Sequence, residues 1–414
     1  MTTSVDEITE TRTGRFVPQP EGYRTFIPWG LPPDPPIESD PELWYLLSQA
    51  DGAIGRLDGS ASTLIHPELF TPIFVRNEAV LSSQIEGIEV TLLEFLKFEA
   101  DTHDSPGSQK MEHIRGCHKA MDYGHQKILK SPFSFETLLG CHEQLHSTGL
   151  RGKGHKPGQL RVNQNYVGAP GSTVQTARFV PPPPDHIQPL IDNLEEFILR
   201  QDHSPILISA GMAHAHFETI HPFEDGNGPL GRILVALLLT DKGVLSHPFL
   251  PLSCYFRHHR KEYYDRLQAI RDHGEWENWL KFFLRAVFHV SKQATDTVIQ
   301  IVQLRDNHWH QIAKKLGGQA GQALQLLDKL FQNPIISVQG VEKIIKDSMD
   351  SAQKIIVEFQ KLGLLKEVSG RVRNQQFAYL PYLELFDSAP PCPTDAEAPQ
   401  EEKASEPATS AVLS

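Results

Sequence analysis

The chain has 414 residues, 39% hydrophobic and 22% charged, which is enough for two or three folded units with ordinary cores. Its formal net charge of −12 excludes nucleic-acid binding driven by overall basic charge and leaves only a local basic patch. The four cysteines are scattered without a CxxC pair, so we expect free thiols in a reducing compartment. Because no apolar run approaches the ~20 residues of a membrane span and no signal-peptide core opens the chain, we expect a cytoplasmic protein.

The first part of the chain predicts a helical region behind a loose arm. Residues 1–20 are polar and lack periodicity, which predicts a flexible arm. Apolar residues then recur at helical spacing through residues 21–110, which we interpret as an N-terminal helical region. Helical patterns continue over residues 111–290. Short β-forming runs and a Gly-Ala-Pro-Gly turn interrupt them at residues 158–184, as is typical of a β-hairpin flap.

The last part of the chain predicts a second, smaller unit. A linker helix is expected over residues 291–318, followed by three helices and a β-hairpin over residues 319–387. This order is the pattern of a winged helix-turn-helix. Its basic residues are nearly balanced by acidic ones, so both DNA and protein remain candidate partners. Residues 388–414 are rich in Pro, Ala and Glu, which predicts a disordered tail.

One twelve-residue run, His221–Arg232, has the features of an anion-binding loop. Gly226 and Gly228 flank Asn227, so backbone N–H groups can approach an anion without obstruction by side chains. Pro229 suits the first position of a following helix, because its missing N–H is not needed there. The positive end of that helix would then face the loop, which predicts a phosphate site.

The same run carries three side chains suited to phosphoryl-type transfer. Asp225 is a hard oxygen ligand for Mg²⁺, which shares its shell between carboxylates and substrate phosphates. Arg232 lies about one turn into the helix and can fork onto phosphate oxygens. His221 can take a proton from a hydroxyl near neutral pH. The alternative is an ordinary helix–loop–helix turn with a capping asparagine and a structural histidine.

The run resembles the signature of Fic-domain proteins, HPFxDGNGRxxR, and matches every defined position except one. Residues 78–96, 158–184 and 255–284 also resemble the family, so the resemblance covers roughly residues 20–385. It implies a mainly α-helical Fic core with a β-hairpin flap. A helical region would precede this core and a winged-helix-like domain would follow it.

The resemblance implies transfer of AMP from ATP to a Tyr, Ser or Thr hydroxyl of a target protein or of the chain itself. His221 would be the base, Asp225 would hold Mg²⁺ and Arg232 would reach the terminal phosphate. A target would dock on the flap as an added strand, and a homodimer is left open. The other residues implied at the nucleotide are Glu86, Val167, Gly168, Gly226, Asn227, Gly228, Tyr263 and Tyr264.

Pro229 is the one departure from the signature, because the family has an arginine there. Losing a guanidinium weakens phosphate binding, since bidentate charge-assisted contacts are strong. Slow transfer, a different phosphate-containing donor and a cation supplied from elsewhere are therefore all open. The alternative function is a catalytically weakened Fic protein that senses nucleotide and regulates DNA or protein through its winged-helix-like domain.

Residues Ser82–Gly87 resemble the inhibitory motif (S/T)xxxE(G/N) of autoinhibited Fic proteins, with Ser82, Glu86 and Gly87 at the defined positions. On this resemblance Glu86 would pair with Arg232 and occupy the place of the γ-phosphate. The same glutamate supports removal of AMP in some relatives, so hydrolysis is implied as well. An exposed helical acid is the alternative interpretation of Glu86.

A second motif, His142–His146, matches the HExxH pattern of zinc proteases. It continues with Gly149 at the metzincin spacing, but Gly152 stands where the third histidine is required and His155 comes three residues too late. We therefore expect no zinc protease. His214 and His216 precede the signature on a helix, where packing is the expected role.

Overall fold

The computed structural model describes residues 8–38, 40–62, 66–101, 108–147, 156–169, 171–200 and 204–387. Over these residues the protein is mainly helical. The helices are α1 Pro41–Ala61, α2 Thr71–Ile85, α3 Leu92–Ala100, α4 Gln109–Ile128, α5 Phe135–Leu145, α6 Ile187–Leu199, α7 Ile206–Ile220, α8 Asn227–Asp241, α9 Ser253–His258, α10 Arg260–His273, α11 Trp276–Lys315, α12 Ala320–Gln332, α13 Val338–Ile345, α14 Met349–Lys361 and α15 Leu380–Asp387. The strands are β1 Thr9–Thr11, β2 Gly14–Pro18, β3 Arg24–Pro28, β4 Ile335–Ser337, β5 Lys366–Glu367 and β6 Gln376–Ala378. Among the described helices, none is both long and apolar enough to cross a membrane.

The centre of the fold is the pair α7 and α8. Every residue of α7 from Leu207 to Ile220 except Ser209 is buried, and α8 is buried from Pro229 to Val235. A helix that is apolar nearly all round must be enclosed by others, and here α4, α5, α6 and α11 pack against the pair. The loop that joins α7 to α8 is therefore held between two helices that are themselves packed on several sides.

The helix α11 is a single helix of 40 residues that packs along α1. The sequence predicts a core ending at residue 290 and a separate linker helix over 291–318. That boundary is wrong, because α11 runs through it without a break. Gly274, with φ of 72°, ends α10 before α11 begins, since a left-handed residue stops a helix.

The predicted flexible arm is also wrong over its described part. From residue 8 onward the chain forms an antiparallel sheet in the order β1-β2-β3, with Thr9 opposite Phe16 and Phe16 opposite Phe26. Phe26 is 1% exposed, and its N–H donates to the carbonyl of Val180 at the end of the flap. The sheet thus braces the flap from one side.

The flap is extended but is not the β-hairpin that the sequence predicts. Within its described residues, 158–169 and 171–184, the ladder is a single antiparallel bridge between Val167 and Phe179. The two residues exchange both backbone hydrogen bonds, at 2.8 and 3.0 Å. Arg161, Asn163 and Asn165 of the flap donate hydrogen bonds to the loop between α7 and α8.

Residues 320–387 form the C-terminal unit. Its elements run helix α12, strand β4, helices α13 and α14, strands β5 and β6, and helix α15, with the sheet order β4-β6-β5. The strand β4 and the helix α15 were not predicted. The unit packs against the N-terminal helices, with the Phe331 ring 5.1 Å from that of Phe70 and the Phe386 ring 5.2 Å from that of Phe74. The predicted disordered tail, 388–414, lies outside the described residues.

Candidate active site

The loop between α7 and α8 is shaped by two left-handed residues. His221 has φ of 50° and ends α7, and Gly226 has φ of 82° and precedes α8. The helix begins at Asn227, so the prediction that Pro229 takes the first helical position is wrong. Pro229 is the third residue, where a missing N–H still costs no intrahelical bond. The free N–H groups of this first turn face the loop, as an anion site requires.

The side chain of Asn227 holds the loop together. It is 2% exposed, its Nδ2 donates to the carbonyl of Phe223 at 2.8 Å, and its Oδ1 accepts from the N–H of Phe223 at 2.9 Å. This is the structural role that the alternative interpretation of the motif expected of an asparagine. Only the backbone of Asn227 is therefore left to contact a phosphate.

Arg161, in the flap, links the flap to the loop between α7 and α8 through hydrogen bonds to backbone carbonyls. Its Nε donates to the carbonyl of His221 at 2.9 Å, its Nη1 to that of Asn163 at 3.0 Å, and its Nη2 to that of Pro182. Its own N–H donates to the carbonyl of Pro222. Burial lowers the pKa of Arg161 to about 10, so it stays charged at neutral pH. The sequence analysis did not identify Arg161 as a residue of the site.

His221 carries a neutral imidazole. Burial, together with the positive charges of Arg161 and Arg271, lowers its pKa to about 3, whereas the backbone of Glu218 opposes the shift. The residue as a whole is half-buried, and its Nδ1 is buried without a hydrogen-bond partner among the described residues. At pH 7 the imidazole is unprotonated, which is the form that a general base requires.

Arg232 is 3% exposed and is held by the end of α2. Its Nε donates to Ser82 Oγ at 2.9 Å and its Nη2 donates to the Ser82 carbonyl at 3.2 Å. The same Nη2 lies 3.2 Å from Glu86 Oε1 in an ion pair. The structure thus brings Ser82 and Glu86 of the inhibitory motif together with Arg232.

Glu86 also lies against the N-terminus of α8. A Cβ on Gly228 would be 2.7 Å from Glu86 Oε1, so the carboxylate lies directly against the backbone of the first turn of α8. Gly87, with φ of 85°, turns the chain away directly afterwards. The carboxylate is 28% exposed and sits 3.8 Å from His113 Nε2 on its other side. An acidic group here is stabilised by the helix N-terminus, as a phosphate would be.

Asp225 fits the role of a single magnesium carboxylate. Its Oδ1 accepts the N–H of Gly226 at 2.7 Å, which fixes the orientation of the carboxylate within the loop. In the part of the chain that the structure describes, no group of three His, Cys, Asp or Glu side chains could hold a metal ion by itself. One carboxylate completed by nucleotide phosphates is the arrangement typical of Mg²⁺.

The remaining predicted site residues differ in how far they are exposed. Tyr264 is half-buried, but Tyr263 is 1% exposed and its hydroxyl bonds His214 Nε2 at 2.9 Å. Tyr263 is therefore a core residue in this conformation, with no surface for adenosine. Val167 is half-buried at the bridge and Gly168 is exposed. Both lie on the accessible side of the flap.

Two buried charged residues beneath the loop were not predicted at all. Arg271, from α10, donates to Thr219 Oγ1 at 3.2 Å and its guanidinium stacks 3.7 Å from the Phe179 ring. Glu218, in the last turn of α7, is 8% exposed. Burial raises the pKa of Glu218 to about 7, Glu86 adds to the rise, and Arg232 and Arg271 oppose it.

The HExxH histidine His142 has a packing role. Its Nδ1 accepts the N–H of Gly158 at 2.9 Å, and its ring stacks on Phe223 with 4.1 Å between centroids. His146 is close to the same loop, because a Cβ on Gly226 would lie 3.3 Å from its Nε2. Residues 149, 152 and 155 of the extended motif lie outside the described residues.

Two family models match the chain: the Fic/DOC family N-terminal region over residues 44–126 and the Fic/DOC family over residues 132–239. A probable protein adenylyltransferase of Aquifex aeolicus is 24% identical over 184 residues, which are 44% of this chain and 53% of that protein. The protein adenylyltransferase Fic of Aedes aegypti is 28% identical over 186 residues, or 43% of this chain and 33% of that protein. The chain thus spans about half or less of these relatives' length.

A solved structure shares the fold. The crystal structure of a Fic family protein from Desulfovibrio desulfuricans superposes with a TM-score of 0.53 at 18% identity, over 83% of this chain and 97% of that one. The mainly helical fold class predicted from the sequence is therefore confirmed. Residues 132–239 thus match a Fic domain, and residues 44–126 match the N-terminal region of the Fic/DOC family.

Proposed function

We propose that this chain is a protein adenylyltransferase that transfers AMP from ATP to a hydroxyl side chain of a target protein or of itself. The observation that carries the proposal is the loop between α7 and α8. It sets a neutral His221, the carboxylate of Asp225 and the open N-terminus of α8 beside the buried guanidinium of Arg232. Relatives named protein adenylyltransferases support it.

In this reaction His221 takes the proton of the target hydroxyl. The hydroxyl oxygen forms a bond to the α-phosphorus of ATP, and the bond from that phosphorus to the bridging oxygen breaks, releasing pyrophosphate. Bound phosphates bring negative charge that raises the pKa of His221 from its low resting value and so improves it as a base. The N–H groups of α8 and the side chain of Arg232 hold the phosphates, and positioning supplies much of the acceleration. Asp225 would hold Mg²⁺, which neutralises phosphate charge when bound.

Glu86 restrains this reaction in the proposal. Its carboxylate pairs with Arg232 and fills the space beside Gly228, so it takes both the charge and the place of a terminal phosphate. A phosphate and a carboxylate cannot share one guanidinium face without repulsion. Removal of AMP supported by Glu86 is part of the same proposal.

The flap would hold the target chain beside His221, with Val167 and Gly168 at its accessible edge. The C-terminal unit we assign to protein contact rather than DNA. Lys354 pairs with Asp350 at 2.6 Å and Lys361 with Glu358 at 2.7 Å, so α14 has little free basic charge. Arg371 is paired with Asp101 at 2.7 Å, which ties the turn between β5 and β6 to the end of α3.

The test is incubation of the full chain with ATP labelled on its α-phosphate, with and without cell lysate. We expect weak labelling by the wild type, strong labelling by Glu86→Gly, and none by Glu86→Gly combined with His221→Ala. Glu89→Gly is the matched control, because it removes an exposed acid three residues away and should leave labelling at the wild-type level. Equal labelling by Glu86→Gly and Glu89→Gly would remove the inhibitory role of Glu86.

A nucleotide-sensing regulator is the second candidate function, and Pro229 favours it. Pro229 is buried in the first turn of α8 and offers no cation where the family has an arginine. Binding of Mg-ATP by Glu86→Gly without transfer of label to any protein would select this function.

A further inference from the structure

Glu218 is a buried carboxyl group that the proposed transfer does not use. It stands three residues before His221 in the last turn of α7, and its Oε1 has no hydrogen-bond partner among the described residues. A Cβ on Gly231 would lie 2.6 Å from this oxygen, so glycine at position 231 lets the carboxyl lie against α8. An unpartnered carboxylate in such a place is costly to bury.

Two arginines compensate the charge of Glu218. Arg232 from α8 and Arg271 from α10 both act on it electrostatically. Arg271 is bound to the same turn of α7, because its Nη2 donates to the backbone carbonyl of Glu218 at 3.4 Å. Arg232 is the residue that the proposed function assigns to the terminal phosphate. The carboxyl group and a bound phosphate would therefore act on the same guanidinium.

The other titratable groups around Glu218 and Arg232 do not supply a charge that would compensate the Glu218 carboxylate. Glu86, at the end of α2, faces Arg232 and adds negative charge. Tyr263 and Tyr264 of α10 have pKa values raised by burial and are neutral at pH 7. His214 of α7 is neutral as well, because burial lowers its pKa to about 4. Glu78 of α2 is already hydrogen-bonded to Ser253, and burial raises its pKa to about 8.

We propose that Glu218 is a positioning residue that takes up a proton when nucleotide phosphates bind at Arg232. The inference rests on the proposed nucleotide-binding function. Without nucleotide, the carboxylate offsets the charge of Arg232 and Arg271. Phosphates bring new negative charge to Arg232, and the neutral carboxyl is then the stable form. The proton comes from solvent and stays on the Glu218 carboxyl, and no bond of the nucleotide changes.

The pKa of about 7 in the empty site leaves much of Glu218 ionised at pH 7.5. Binding should then take up between about half a proton and one proton, and affinity should fall by up to about tenfold per pH unit above pH 7. A residue that serves only to pack α7 against α8 would change neither quantity.

The experiment is isothermal titration calorimetry of the full chain carrying Glu86→Gly, with the magnesium complex of α,β-methylene-ATP, which keeps the terminal phosphate and cannot transfer AMP. Titrations at pH 7.5 in two buffers of different ionisation enthalpy report proton uptake, and a series from pH 6.5 to 8.5 reports affinity. We expect uptake in the parent and in a variant that also carries Glu224→Gln, which removes a half-buried acid from the same loop. Adding Glu218→Gln, which keeps the size of the side chain, should abolish uptake and flatten the pH series.

Uptake that persists after Glu218→Gln overturns the inference. So does binding by the parent itself without proton uptake, a result that needs no change at Glu218. A parent that does not bind the magnesium complex of α,β-methylene-ATP at all instead overturns the proposed function, and the inference with it.

Discussion

Ser82 accepts a hydrogen bond from a buried cation, and its substitution by alanine tests how Arg232 is held. The Arg232 Nε donates to Ser82 Oγ at 2.9 Å, and both residues are at most 5% exposed. Ser82→Ala leaves that N–H without a partner in a place that water does not reach. An unpaired buried polar group costs about 1–3 kcal/mol. The bond from Nη2 to the Ser82 carbonyl is retained, so we expect the free energy of unfolding to fall by about 2 kcal/mol.

The neighbouring Ser83 offers the matched control. It is 0% exposed, and its Oγ donates to the carbonyl of Ala79 within the same helix. That carbonyl accepts a helical bond in any case, so Ser83→Ala should cost less than about 1 kcal/mol. Urea unfolding at pH 7.5, followed by circular dichroism, measures both variants. The reasoning fails if Ser83→Ala is as costly as Ser82→Ala, or if Ser82→Ala keeps its full cost in an Arg232→Met background.

Three further predictions concern the loop and its surround. Arg161→Lys keeps the charge but cannot reach the same carbonyls, so we expect at least about a tenfold loss of labelling and about 2 kcal/mol of stability, measured on the Glu86→Gly chain. Pro229→Arg should tighten Mg-ATP binding by the Glu86→Gly chain about tenfold or more, because it adds a charge-assisted phosphate contact. If calorimetry shows no gain in affinity, another cation already binds the phosphates. Burial lowers the pKa of His216 to about 4, so as the pH falls the unfolded chain is protonated at this residue before the folded chain. The free energy of unfolding should therefore drop between pH 6.5 and 4, by up to about 1.4 kcal/mol per pH unit for this residue. His216→Met should remove that part of the slope in urea titrations at pH 7, 6 and 5, and an unchanged slope would show that other groups carry it.

The loop itself could be predicted from the sequence because its chemistry is local. Glycines, a hard carboxylate, a histidine and a helix start within twelve residues need no long-range contact to define an anion site. The pairing of Glu86 with Arg232 is different, since 146 residues separate them. No periodicity or composition points to that pair, and only the resemblance of two short motifs brought them together.

The errors have a common physical cause, because they concern structure decided by distant partners. The strands β1 and β2 have three and five residues, too short for a clear alternating pattern, and they form because β3 and the flap lie beside them. The flap contains β-forming runs, but Arg161 and Asn165 bond the loop instead, and among its described residues only Val167 and Phe179 pair. The helix α11 continues past residue 290 because α1 packs along it.

Glu218 shows what kind of signal was overlooked. It is the one acidic residue in α7, a helix whose other residues are apolar, small or histidine and threonine. An acid in a helix that is buried all round must be paired, neutralised or functional, since burying an isolated carboxylate costs several kcal/mol. The two arginines that meet it come from α8 and α10, so no sequence pattern shows which of these outcomes applies. The pattern does show that position 218 needs an explanation, and its place between Arg232 and Arg271 makes a change of protonation the explanation to test first.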